Sequence, residues 1–231
     1  MPGRALELSL ASPAIADSFD FWTRLGFTAT EGGDAWSHPY GVVSIPGLSL
    51  GLHGIEATPP LVTLVRADVA GLVPEFETRD IPLDDLRIGP DVFNELRFRD
   101  PAGLTVRIVE ARTFSPAASA RPGPFGRFEA FSWPCADSEA VGDFWSRLLV
   151  DSEEPADGWA LRTADLGGLP VAWHAPATSA DPLLVFRHGS LAEVHAALTA
   201  QGLPPVARPL GLALPHLHWR TTDGVRIVVL A

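Results

Sequence analysis

The chain repeats itself, and the repeat limits what it can fold into. Residues 20–27 read DFWTRLGF and residues 143–150 read DFWSRLLV, an offset of 123. GDAW at 33–36 meets ADGW at 156–159 at that same offset. Farther along the offset drifts to 121: GLSLGLH (47–53) matches GLPVAWH (168–174), and NELRFRDPAG (94–103) matches PHLHWRTTDG (215–224). Landmarks kept in one order at a nearly fixed offset mean two copies of one unit. The 231 residues therefore divide into two units, each near the ~100–150 residues of a common domain.

Within each copy the pattern restarts once more. Leu6, Leu8 and Leu10 alternate with Glu7 and Ser9, as a strand with one buried face requires. Ser12-Pro13 reads as a helix opening, serine as cap and proline in the first turn. Ile15, Phe19, Trp22 and Leu25 then form a helical stripe that ends near Gly26. Strands are expected around 28–31, 36–44 and 48–53, giving β-α-β-β-β. The second run places strands at 61–65, 86–88, 94–99 and 104–109, with a helix over 68–77 that Pro74 shortens or kinks. Residues 112–126, RTFSPAASARPGPFG, lose all periodicity and read as a linker. Residues 1–111 and 127–231 are then the two domains. The last helix is expected at 190–201, closed by Gly202. The fold class is α+β, with four βαβββ modules.

The ordered set resembles a known family. FDFWTRLGF (19–27), three strands, and a last strand introduced by RDPAGLTVRIVE (99–110) resemble the vicinal oxygen chelate superfamily of glyoxalases, bleomycin-resistance proteins and extradiol dioxygenases. The resemblance implies two tandem cup-shaped domains of mixed sheet, helices outside and the ligand or metal within. It places the family's metal ligands at Glu7, Gly51, Leu61 and Arg107 in the first domain. In the second they fall at Ala130, Ala172, Leu183 and Val228. One carboxylate, an arginine and six side chains without a donor atom depart from a metalloenzyme's pattern. No metal or other cofactor is therefore expected, a divalent ion being the lower-ranked alternative.

Strand parity assigns faces. The leucines face the helices, so Glu7, Ser9, Ser49, His53, Thr63, Glu95, Arg97, Thr105 and Arg107 line the first cup. Arg97 or Arg107 would hold an anionic group through forked donors; the alternative is a Glu7–Arg107 pair that fills the cup. His174, Arg187, His216, His218 and Arg226 line the second. Those three histidines read as hydrogen-bond donors to a carboxylated or phenolic molecule, as an improvised metal site, or as unrelated groups. Trp36 and Trp159 take equivalent places and would rim the pockets. Trp22, Trp145, Phe21 and Phe144 are core residues by position. Cys135, the one cysteine, allows no internal disulfide, and its acidic neighbour Asp137 argues for an inert thiol.

Composition removes several functions. Net charge is −11, a poor surface for nucleic acid. No apolar run reaches the ~18 residues of a membrane span, and the N-terminal stretch MPGRALELSL has no secretion signal, so a cytoplasmic protein is expected. Neither a Walker pattern nor G-x-G-x-x-G occurs. The leading expectation is a glyoxalase- or bleomycin-resistance-like protein that binds a small organic molecule, anionic or aromatic, without the family's metal. The alternative is a lyase, isomerase or dioxygenase of that superfamily, with a rearranged histidine site or a metal-free general base. With four modules in one chain, a monomer or a homodimer is expected, and a third, weaker reading keeps one cup only for packing.

Overall fold

The computed structural model of the protein describes residues 3–30, 37–56, 58–111 and 123–231. The first module is β1 (Arg4–Ala11), α1 (Ile15–Arg24), β2 (Thr28–Thr30), β3 (Tyr40–Ile45) and β4 (Leu48–His53). The next is β5 (Leu61–Arg66), α2 (Val73–Thr78), β6 (Asp85–Arg87), β7 (Glu95–Arg99) and β8 (Thr105–Glu110). The third is β9 (Arg127–Pro134), α3 (Ser138–Arg147), β10 (Ser152–Glu153), β11 (Arg162–Asp165) and β12 (Pro170–His174). The fourth has β13 (Leu183–Arg187), α4 (Leu191–Ala200), β14 (His216–Arg220) and β15 (Arg226–Leu230), one strand fewer among the described residues.

Two mixed sheets result, ordered β2-β3-β4-β1-β5-β8-β7-β6 and β10-β11-β12-β9-β13-β15-β14. The two sheets pair their strands in corresponding ways. Leu8 pairs with Leu50 and Val62, and Phe131 pairs with Val171 and Leu184. Glu7, Gly51 and Arg107 therefore correspond to Ala130, Ala172 and Val228, and His53 corresponds to His174.

The helices cover one face of each sheet, and those faces meet. Leu8, Leu10 and Leu50 share a single apolar cluster with Trp22, Phe144, Trp145 and Trp173. Two buried carboxylates lock this contact across the halves. Asp100 Oδ2 accepts from Trp173 Nε1 at 2.9 Å and Trp145 Nε1 at 3.3 Å. Its Oδ1 accepts from the backbone N–H groups of Ala102 and Leu104, both at 2.9 Å. Reciprocally, Asp223 accepts from Trp22 Nε1 at 2.8 Å, Ser18 Oγ at 2.6 Å and Ser12 Oγ at 2.9 Å. Burial pushes the Asp100 carboxyl above the usual range in spite of its four N–H donors. Helix ends follow the same exchange: Arg24 donates to the carbonyl of Gln201 after α4, and Arg147 to those of Arg79 and Asp80 after α2.

Several local expectations change. Ser12 does not cap α1, which starts at Ile15 without a side-chain cap; its hydroxyl is given to Asp223 instead. Of the two effects expected of Pro74 the helix shows shortening, not a kink: α2 begins at Val73 with Pro74 in its first turn, after a 3-10 turn at Ala70–Leu72. Asp137 and Ser190 do cap α3 and α4. Residues 112–122 of the expected linker, and Trp36, lie outside the described residues. Phe125, at the linker's end, is buried against Phe186 and Trp219 and serves the second sheet's core. Among the described residues no helix is long and apolar enough to cross a membrane. The clasp is testable. In Asp223→Asn an amide nitrogen replaces one acceptor, leaving a buried tryptophan or serine donor unpaired. Urea unfolding should show a loss of about 2 kcal/mol; an unchanged midpoint would remove Asp223 from the account.

Candidate functional site

The opposite faces of the two sheets are free of helices, and they have become different. Across the first, the strand registers set one row side by side. Asp85 pairs with Arg97, Arg97 with Arg107, Arg107 with Thr63, and Thr63 with Glu7. Cross-strand partners share a face, so these five side chains stand together.

Glu7 is the centre of this surface and is 3% exposed. Its Oε1 accepts from Ser9 Oγ at 2.7 Å and lies 3.0 Å from His53 Nε2, while Oε2 accepts from the Tyr40 hydroxyl. His53 Nδ1 in turn lies 2.9 Å from His38 Nε2. On the other side Arg107 Nη2 donates to Thr63 Oγ1 at 3.0 Å, and Thr63 lies 2.8 Å from Ser9. Ser9 gives its proton to Glu7, so it accepts from Thr63, which accepts from Arg107. The donors therefore run in one direction, Arg107 to Thr63 to Ser9 to Glu7, and each bond polarises the next. The expected Glu7–Arg107 pairing takes this form, through two hydroxyls.

The electrostatics follow from this array. Burial raises the Glu7 pKa, but the hydrogen bonds of His53, Tyr40 and Ser9 and the charge of His53 outweigh it, and the carboxyl ends below its usual range. Burial, then the charges of His53 and Arg107, pull His38 down. Burial also lowers Arg107, against the opposing charges of Glu7 and Glu95. Arg97 is held by Asp85 at 3.2 Å and Glu95 at 3.6 Å, and its Nε is buried without a hydrogen-bond partner.

The positions that the resemblance gives to metal ligands do not fit a metal. A Cβ at Gly51 would stand 2.2–2.3 Å from the Glu7 carboxyl atoms, so Glu7 already fills the space a ligand there would need. Leu61 brings no donor atom and Arg107 only N–H donors. Among the described residues no group of three or more His, Cys, Asp or Glu side chains is placed to hold an ion.

Part of the second cup is covered by the chain itself, and a cavity lined by Ala130, Trp159, Thr163 and Asp165 stays open beside it. Ala130, Ala172, Leu183, Val185 and Val228 form an apolar floor with Trp159, and Leu210, Leu212 and Leu214 pack on it. The residues expected to meet a ligand here are committed separately. His174 is fully buried, with Nδ1 2.8 Å from Ser132 Oγ and Nε2 3.1 Å from the Ser179 carbonyl. His216 Nδ1 donates to the Leu214 carbonyl at 2.9 Å while Nε2 accepts from the Leu210 N–H at 3.0 Å. His218 Nε2 donates to the Arg208 carbonyl at 2.6 Å. Arg187 pairs with Asp157 at 2.6 Å, and Arg226 with Asp181 at 2.5 Å. Cys135 is buried, which pushes its thiol up.

Sequence reasoning found Glu7, His53, Thr63, Ser9 and both arginines, and the structure brings all six to one face. It missed His38 and Tyr40. Tyr40 pairs with His53 across β3 and β4, so extending the parity argument to β3 would have found it. His38 precedes the strand and has no such signal.

His174 carries a pH signature. Burial lowers its pKa to about 4, below the unfolded value near 6.5. Between these values the unfolded chain binds the extra proton, so stability falls as pH drops from 6.5 toward 4. The slope reaches at most about 1.4 kcal/mol per pH unit. Unfolding free energies of His174→Gln should be flatter than wild type across this window, and parallel curves would show that the ring does not titrate as its burial implies.

No family model matches the sequence, and no curated protein does. Solved structures do match along nearly its whole length. A catechol 2,3-dioxygenase superposes with a TM-score of 0.64 at 12% identity, covering 98% of this chain and 87% of that one. An extradiol ring-cleaving dioxygenase from B.fuscum gives 0.65 at 13% identity, over 99% of this chain and 71% of that one. The Mn(II)-bound glyoxalase from Novosphingobium aromaticivorans gives 0.61 at 13%, over 98% and 81%. With its paired mixed sheets and four βαβ-based modules, this chain has the fold of the vicinal oxygen chelate superfamily.

Proposed function

We propose that the first cup binds a small organic anion, as a glyoxalase- or bleomycin-resistance-like binding protein does, and does so without the metal of the fold family. The observation that carries this reading is the pairing of Arg97 with Arg107 on neighbouring strands of one helix-free face. Like charges directly opposite each other are destabilising. Arg107 is also 8% exposed, so its charge is poorly solvated. An incoming carboxylate, phenolate or sulfonate matches the guanidinium forks and competes with Asp85 and Glu95 for Arg97. The Tyr40–Glu7–His53 side of the cup supplies the polar wall for a hydroxyl on the same molecule.

One observation favours a second reading, metal-independent proton transfer. The two ring nitrogens of His53 bridge the buried Glu7 and the half-buried His38, a hydrogen-bonded path from the cup toward the surface. A ligand proton passed to Glu7 has a route out along it. The lowered Glu7 pKa weakens that base at neutral pH, which ranks this reading second.

Isothermal titration with benzoate, salicylate and phenylacetate tests the first reading. Arg107→Gln should weaken binding by about tenfold or more, the value of a lost charged hydrogen bond. Binding that is indifferent to both Arg107→Gln and Arg97→Gln would sink it. Gly51→Ala separates the two readings, because its Cβ displaces the Glu7 carboxylate and leaves both arginines. Under binding alone, the affinity for phenylacetate, which has no hydroxyl to meet Glu7, stays within about threefold, a change below 1 kcal/mol; under proton transfer, any turnover is lost.

A further inference from the structure

The two copies treat one segment in opposite ways. Arg97 pairs with Arg107 as His218 pairs with Val228, so Glu95 and Arg97 stand where His216 and His218 stand. The segments that lead into these strands, 84–94 and 205–215, are therefore counterparts. Both begin on the sheet: Asp84 N–H donates to the Arg97 carbonyl, and Val206 N–H to that of His218.

Beyond that point they part. In the second copy the segment leaves the sheet and crosses the cup. His218 and His216 hold its backbone at Arg208, Leu210 and Leu214, and Gly211 N–H donates to the Thr178 carbonyl. Leu210, Leu212 and Leu214 then fill the apolar floor. In the first copy the charged pair holds side chains instead. Arg97 takes Asp85 at 3.2 Å and Glu95 takes Arg87 at 3.6 Å, which zips residues 85–87 onto β7 as the edge strand β6. The apolar residues that follow are left in water. Ile88, Val92 and Phe93 are 40%, 52% and 64% exposed, and with Leu86 they make four of the six large exposed apolar side chains among the described residues. Ile88, Val92 and Phe93 thus leave apolar side chains close together in sequence that a ligand or partner could cover.

The polar floor of the first cup explains the difference. Glu7, Thr63 and Arg107 offer an apolar segment nothing to pack on, where Ala130, Val185 and Val228 do. A ligand with an apolar body supplies that missing surface. Arg97 links the two events, since the guanidinium that holds Asp85 in the edge strand is one of the two that face the proposed anion.

We infer that residues 85–93 are a strap that closes over the first cup when an anion displaces Asp85 from Arg97. Ile88, Val92 and Phe93 then form the wall against the ligand's apolar body, as Leu210, Leu212 and Leu214 line the second cup. The inference rests on the anion site proposed above and adds a ligand class: an anionic head on an aromatic or similarly apolar body.

Phenylacetate and acetate differ by one phenyl ring and make a matched pair of probes. With the full chain, phenylacetate should bind on the order of tenfold more tightly than acetate. It alone should slow amide hydrogen exchange over 85–94. Phe93→Ser should remove the phenylacetate advantage and leave acetate affinity as it was. If phenylacetate binds in an Arg107-dependent way while exchange over 85–94 and the Phe93→Ser affinity stay unchanged, the strap is wrong and the anion site stands. If neither probe binds in an Arg107-dependent way, both fall. Protection of 85–94 that grows with protein concentration and ignores the probes would assign the patch to a second copy, and the strap would again be overturned.

Discussion

The contact between the two helix-covered faces sets the terms for the rest of the molecule, and two buried aspartates hold it. Each comes from the D-P-x-G or D-G turn before a final strand, and each reaches into the other half of the chain. A buried carboxylate is costly unless several donors meet it. Asp100 has two indoles and two backbone amides; Asp223 has an indole and two hydroxyls. The tryptophans of the repeated DFW motif thus have a second task besides filling the core. Their N–H groups satisfy the opposite half's aspartate, which gives a physical reason for the motif to occur in both copies.

Packing the helices together turns the two cups away from each other. That geometry lets each cup change without disturbing the shared core. Three exchanges, Glu7 to Ala130, Thr63 to Val185 and Arg107 to Val228, convert a polar floor into an apolar one. His53 and His174 show the consequence at one equivalent position. The first meets Glu7 and His38. The second, with alanine in place of the glutamate, turns to Ser132 and a backbone carbonyl and is held neutral by burial. One side chain is part of a charged network in one copy and a structural hydrogen-bonding group in the other.

The sequence makes the repeat, the strand faces and most of the first cup legible, because alternation and a fixed offset are direct consequences of sheet geometry. The departure from a metal-ligand pattern can be read in the same way, one position at a time. What stays hidden depends on contacts far apart in sequence. Ser12 has every local mark of a helix cap, yet its hydroxyl serves Asp223, 211 residues away. His216 and His218 have the parity of ligand-binding residues, but they hold a crossing segment whose Leu210, Leu212 and Leu214 alternate as a strand's would. Periodicity shows that those leucines share a face; it does not say which surface that face will meet.

Glu7 and Gly51 show how closely the first cup is fitted. The carboxylate lies where a side chain at 51 would begin, so a glutamate held this way at 7 requires a bare backbone at 51. A ligand-bearing residue at 51 would force Glu7 out of its bonds to Tyr40, His53 and Ser9. The converse change, loss of Glu7, would leave buried hydroxyl and imidazole groups without their common acceptor. The array is therefore self-consistent as a set of hydrogen bonds. At the arginine end of the row Arg97 and Arg107 stand opposite each other, and carboxylates offset both: Asp85 and Glu95 at Arg97, Glu7 and Glu95 by charge at Arg107.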